Sequence, residues 1–475
     1  MIKKLAAVLA FLLIGLPLFH GKALASEVNA SQPAPDKIQY EALRFELPQA
    51  ERVVLDNGMV LYILENHELP LVNIGALIKT GTMYDPTQKE GTGELTAYVM
   101  RTGGTAKMKS ADIDRQLDQL AASVSVSIAR ESAQIGFSIL NTHLEQGLNL
   151  LSQIIISPAF EPEKFELARQ LKNEEIRRLK DDPQGLAFQE FNRLIYQGDP
   201  RGRFPSLKSL ARIQRDDLVQ FHNRFFLPNN AMFAVSGDIS RDDVLKLFGQ
   251  YFGSWKKGNL PEAITAPVQQ SKPGIYLIDK DIPQSTVISG LYTIDKNHPD
   301  FYAFSVLDFI LGSGGFPSRI VNVVRNSEGL AYSAGSFYRA RTDYGIFGSY
   351  AFTKTSSTMK ALALMNDELA KLPAHPITEK ELNWARKSII DGFIFSFATP
   401  EQIVWQQMNV EYEKLPSDYL KTYRDKIEKV SVEKINQTAV KYLDKTGNVV
   451  LILGDRKKMD QPAPGKEFVL ITPEE

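Results

Sequence analysis

Arg325 and Tyr332, seven residues apart in the second half of the chain, are polar side chains that could do chemistry, although taken alone the pair reads as a helix-end arginine and a packed tyrosine. A guanidinium and a phenol are fixed hydrogen-bond donors, and donors aimed at charge developing on a carbonyl oxygen lower a barrier by several kcal/mol. They stand in the run Gly312-Ser313-Gly314-Gly315-Phe316-Pro317-Ser318-Arg319-Ile320, which continues to Arg325 and then to Gly329-Leu330-Ala331-Tyr332-Ser333. Ser318 is placed to cap a helix after Pro317, Ile320, Val321, Val323 and Val324 to bury one side of it, and Gly329 to end it. Arg325 then falls in the last helical turn, where a cation is favoured. Tyr332 follows across the glycine turn, at the start of a strand.

Metal and thiol chemistry are poorly served. His67, His143, His222, His298 and His375 are single and widely separated, and none forms the close helical pair that holds zinc. The chain has no cysteine, which excludes disulfides, thiolate metal sites and a cysteine nucleophile.

The elements that must carry these residues are legible. Val53-Val54-Leu55 and Met59-Val60-Leu61-Tyr62-Ile63-Leu64 flank Asp56-Asn57-Gly58, a hairpin signal. Another strand spans Leu71 to Lys79. Helical segments are expected near 91–102, 110–121, 143–156 and 162–180, with strands at Ser123–Ile128 and Gln134–Ile139. A buried strand, Ala231-Met232-Phe233-Ala234-Val235, closes the half at Gly237-Asp238. The second half repeats the plan: Ile275-Tyr276-Leu277-Ile278-Asp279-Lys280 echoes Leu61 to Asn66, Pro283 echoes Pro70, and Val449 to Asp455 echoes the strand ending at Asp238. Residues 48–255 and 275–465 are thus expected to be two homologous α+β domains. Each is an antiparallel sheet packed with helices, and the proline-containing linker 256–274 joins them into a clam-shell. Residues 466–475 are a tail.

The chain starts with a basic pair, Lys3 and Lys4, then an apolar run from Leu5 to Phe19 and Ala23-Leu24-Ala25. That is the pattern of a signal peptide spanning residues 1–25. Residues 26–47 read as a flexible lead-in. Cleavage would remove Lys3, Lys4 and Lys22 and no acid, moving the formal charge from −1 to −4. That balance gives no case for nucleic acid or anionic lipid. No later stretch is apolar and long enough for a stable membrane span. The expected location is the periplasm.

The repeat, the linker and the local motifs resemble the pitrilysin and mitochondrial-processing-peptidase zinc peptidases, the inverzincins, over about residues 50 to 460. Members carry a helix reading G-x-x-H-x-x-E-H, whose histidines hold zinc and whose glutamate polarises the attacking water. A downstream glutamate is the third ligand. The matching segment is Gly91-Thr92-Gly93-Glu94-Leu95-Thr96-Ala97-Tyr98, after a turn with Gly81 and Asp85-Pro86. Glu94 and Tyr98 stand where the histidines would be, and Ala97 where the catalytic glutamate would be. Glu175 falls at the third-ligand position. The resemblance implies that Arg325 and Tyr332 reach the active site from the second domain and steady the oxyanion next to the scissile bond.

It also implies pairing. Some family members are heterodimers of a zinc-bearing chain and a zinc-less one, and this chain looks like the zinc-less subunit of a periplasmic metalloendopeptidase. It would bind no cofactor itself, with zinc on the homologous partner. Its substrate would be a peptide or unfolded protein, held as an added strand at a sheet edge. A stand-alone peptide-binding or chaperone-like homodimer, a structural assembly subunit and an active peptidase are the other expectations to weigh.

Overall fold

A computed structural model describes residues 46–267, 272–443, 447–460 and 467–473. The expected signal peptide, and all but the end of the lead-in, lie outside the described residues.

The strands are β1 (Glu51–Val54), β2 (Val60–Glu65), β3 (Leu71–Ile78), β4 (Ser123–Ile128), β5 (Ala133–Leu140), β6 (Ala231–Gly237), β7 (Gly274–Asp279), β8 (Gln284–Thr293), β9 (Ala331–Ala340), β10 (Gly345–Lys354), β11 (Val449–Gly454) and β12 (Phe468–Leu470). They form two six-stranded sheets, in the orders β1-β2-β6-β3-β5-β4 and β12-β7-β11-β8-β10-β9.

The repeat extends to register. Leu61 pairs with Phe233 in the first sheet, and Ile275 with Val450 at the equivalent place in the second. Both pairings are parallel, so each sheet is mixed rather than purely antiparallel. The cause is topological: the last long strand of each half returns through helices and inserts beside β2 in the first sheet and beside β7 in the second. Its insertion between two strands makes it central, and every residue of β6 and β11 is buried. The outer strands differ. In the first sheet β1 comes from the hairpin at Asp56-Asn57-Gly58, where Gly58 takes φ +80°. In the second, β12 comes from the C-terminus and runs parallel to β7.

Helices Thr92–Thr102, Ser110–Gln119, Leu144–Ile156 and Pro162–Leu179 lie within two residues of the expected segments. Most of the helices of each half pack on one face of its own sheet. The other face is covered by a helix from the opposite half. Helix Pro183–Ile195 brings Leu186, Ala187 and Phe191 against Ile288, Val449 and Leu451 of the second sheet. Helix Pro400–Tyr412 brings Val404, Trp405 and Met408 against Tyr62, Leu77 and Met232 of the first. Each sheet carries a glycine under the incoming ring. A Cβ at Gly75 would lie 2.7 Å from Trp405, and one at Gly290 would lie 2.6 Å from Phe191. Those approaches are too close for any side chain.

Polar contacts reinforce the exchange. Glu411 accepts from Arg52 Nε at 2.5 Å and from the Tyr62 hydroxyl at 2.6 Å. Glu131, in the β4–β5 turn, accepts from Arg201 Nε at 2.7 Å and from the Tyr344 hydroxyl of the other half at 2.8 Å. Burial pushes the Glu131 carboxyl up, but Arg201, Arg341 and Tyr344 outweigh it and hold it below the usual carboxylate range.

Candidate functional site

The helix Thr92–Thr102 begins where the resemblance places a zinc motif. Gly91 supplies a left-handed φ of +104° at its start. The Asp85 carboxylate replaces the missing cap, accepting from the N–H groups of Gly91 at 2.7 Å and Gly93 at 2.8 Å. Burial pushes this carboxyl up to about 7, against the pull of those two donors. Leu95, Val99 and Met100 fix the helix in the first core.

Ala97 is buried and carries no group that could take a proton. Tyr98 is exposed, and Glu94 is half-buried. Helix Pro162–Leu179 packs beside this helix, and its Lys172 decides what Glu94 does. Lys172 Nζ lies 2.5 Å from Glu94 Oε2 and 2.8 Å from Glu175 Oε1. The lysine side chain is only 17% exposed. Burial pulls its pKa down, but Glu94 and Glu175 outweigh that and raise it above its ordinary value. The ammonium therefore stays charged and neutralises both carboxylates.

These residues do not fit zinc. The helix offers no imidazole, and the two carboxylates at the expected ligand positions are both committed to one ammonium. Zinc would have to displace a bound cation and still lack a nitrogen ligand. Among the described residues no group of three His, Asp or Glu side chains is placed to hold a metal ion. His222 is buried, with Nε2 2.7 Å from the Ile155 carbonyl oxygen, and burial lowers its pKa. His67 lies beside Asp238, 2.5 Å away. Both are structural.

The second signature is built differently. Ser318 stands at the N-cap position of the helix beginning at Arg319, but its hydroxyl does not cap. It donates instead to the Gly315 carbonyl at 2.5 Å. Arg319 is an anchor: its guanidinium bonds Glu381 at 2.6 and 2.9 Å and the carbonyls of His375 and Pro376. From Asn322 the helix widens into a π-helical stretch that carries Arg325, and Gly329 ends it at φ +62°.

Arg325 lies across two rings. Its guanidinium carbon is 4.5 Å from the Phe316 ring centroid and 5.4 Å from that of Tyr332. No carboxylate among the described residues pairs with it. Tyr332 is 83% exposed, at the start of the edge strand β9. The arrangement brings Arg325 and Tyr332 together, with their N–H and O–H groups free to bind. The sequence reading missed Phe316, which is also exposed. Its position in the glycine-rich run was visible, but not that its ring would return onto Arg325.

Residues 61–204 match the family model for insulinase (peptidase family M16), and residues 212–389 match the model for the peptidase M16 inactive domain. The chain belongs to the M16 peptidase family. An M16 relative in Mycobacterium leprae (strain TN), called an uncharacterized zinc protease, is 25% identical over 83% of this chain and 89% of its own. A Helicobacter pylori (strain ATCC 700392 / 26695) protein, called the non-peptidase homolog YmxG, is also 25% identical, over 83% of this chain and 91% of its own. The two are equally similar and carry opposite descriptions, so the local residues decide between them. The crystal structure of a peptidase M16 inactive domain from Pseudomonas fluorescens shares the fold. Its TM-score is 0.79 at 24% identity, covering 87% of this chain and all of that one. By family and site, this is an M16 peptidase-like protein of the inactive type.

Proposed function

We propose that the chain is the non-catalytic subunit of a heterodimeric periplasmic zinc metalloendopeptidase. It contributes substrate binding and oxyanion stabilisation for peptides or unfolded proteins, and a homologous partner supplies zinc. The observation that carries this reading is the contrast between the two signatures. Lys172 sits between Glu94 and Glu175, while half-buried Arg325 and exposed Tyr332 keep unused donors.

Three residues have named roles. Arg325 and Tyr332 donate to the substrate carbonyl next to the scissile bond, in the partner's active site. Phe316 steadies the Arg325 guanidinium by stacking. The open edges of β4 and β9 offer unpaired backbone groups to an extended peptide. The periplasmic location rests on the leader pattern of residues 1–25.

The test is reconstitution with an exported M16 chain bearing H-x-x-E-H. The pair should hydrolyse peptides that neither chain cleaves alone. Arg325→Ala and Tyr332→Phe should each lower kcat of the pair by about 100-fold, the usual loss for one oxyanion donor. Unchanged turnover in both variants would refute the assigned role and favour a stand-alone peptide-holding protein.

A further inference from the structure

A second recess, sharing no lining residue with the Arg325 cluster, lies between residues 296–303 and the helices Tyr419–Glu428 and Val432–Tyr442. It is a cavity of about 430 Å³. Four ammonium groups line it, Lys296, Lys426, Lys429 and Lys434, from three separate elements, and no carboxylate does. The rings of Tyr302 and Tyr419 form part of its wall. Both rings pack on Tyr423, with centroids 5.8 Å apart in each case.

Nearby carboxylates neutralise only part of this charge. Glu413 holds Lys296 at 2.5 Å. Asp300 is buried and shared among Lys434, Lys441 and the Tyr442 hydroxyl. Burial pushes the Asp300 carboxyl up, yet these partners outweigh it and hold it at about 2. Exposed Asp418 acts on Tyr302 without pairing to a lysine. Lys426 and Lys429 therefore have no carboxylate partner among the described residues. Lys426 Nζ instead stands 5.4 Å from the Tyr302 ring centroid. A helix C-terminus favours lysines and accounts for their presence at residues 426 and 429. Glu413 and Asp300 hold Lys296 and Lys434 at the rim of the same space, so the charge left for a ligand is that of Lys426 and Lys429.

We infer that this cavity binds a soluble organic anion of the phosphomonoester type. Lys426 and Lys429 hold the charged group, and Tyr302 and Tyr419 contact a flat apolar portion. Lysine binds phosphate as a compact point charge. The Tyr302 hydroxyl, pushed up to about 12 mainly by burial, remains a donor at neutral pH. The volume is in the range of small-molecule sites. The inference is independent of any peptidase role.

Calorimetric titration of the full-length purified protein with phenyl phosphate tests it. Saturable binding is expected, weakening as salt is raised. Lys426→Gln with Lys429→Gln should raise Kd at least about tenfold, while Lys414→Gln, in a different groove, should leave it unchanged. Benzyl alcohol should not bind. Lys429 is exposed and Lys426 half-buried over the Tyr302 ring, and thermal melting should confirm that the double variant is folded. Absence of saturable heat, equal affinity in the double variant, or equal binding of benzyl alcohol would each overturn the inference.

Discussion

The ammonium of Lys172 stands 2.5 Å from the carboxylate of Glu94, on a neighbouring helix, at the position to which the resemblance assigns a zinc-binding imidazole. The site is occupied by the protein's own cation. A Glu94 left alone in this half-buried position would have cost desolvation without return, and Lys172 offsets it while joining the two helices.

Lys172→Met should therefore leave Glu94 and Glu175 without their shared cation and destabilise the fold by about 1–3 kcal/mol, read as a lower midpoint in urea. Glu94→Gln should cost less, since Lys172 keeps Glu175. The sign with pH follows from the raised lysine pKa. The contribution is complete below the unfolded value of 10.5 and is lost as pH climbs through the higher folded value. Wild type and Lys172→Met should approach each other in stability across that alkaline range.

Phe316→Ala tests whether stacking fixes Arg325. Phe316 is 61% exposed, so its removal should change stability by less than about 0.5 kcal/mol. In the reconstituted pair kcat should fall several-fold, and Phe316→Tyr should restore it. A loss shared equally by both variants would assign the effect to the loop backbone instead.

The exchanged helices make a sharper prediction about stability. Phe191 is fully buried over Gly290, and Phe191→Ala should cost about 3–5 kcal/mol. Gly75→Val should destabilise through overpacking against Trp405, by about 1–3 kcal/mol or more. Because each sheet takes its second cover from the other half, neither half should fold alone. Co-expressed halves should co-purify, and a cooperatively melting isolated half would contradict this.

Acid stability should report on Glu381. Burial raises its carboxyl, but Arg319 and the Thr378 groups outweigh that and hold it at about 2. A depressed folded value means the contribution is present above the unfolded value of 4.5 and is lost as pH falls towards 2. Glu381→Gln should be less stable than wild type at neutral pH, and the gap should narrow across that window.

Much of this was legible in the chain. The hairpin at Asp56-Asn57-Gly58, the paired Gly-Asp strand ends and the two prolines gave the repeat, because turns and strand alternation are local properties. What failed was non-local. The parallel pairing of β2 with β6 depends on where the last strand inserts, which no residue in β6 announces. The covering helices Pro183–Ile195 and Pro400–Tyr412 look like ordinary amphipathic segments, and their choice of sheet is a property of the assembled fold. At the site, the absence of histidines was plain, but the role of Lys172 beside Glu175 was not. That Lys172 also reaches Glu94 was a tertiary fact. Ser318 failed as a cap because its hydroxyl found a nearer acceptor in the Gly315 carbonyl.

The most direct test measures zinc in the isolated chain after dialysis, together with chelator-sensitive peptide hydrolysis. With Lys172 holding the two carboxylates, the metal should be present only in trace amounts, and hydrolysis should be absent until a partner bearing H-x-x-E-H is added. About one zinc per chain, with hydrolysis that a chelator abolishes in the absence of any partner, would contradict the account.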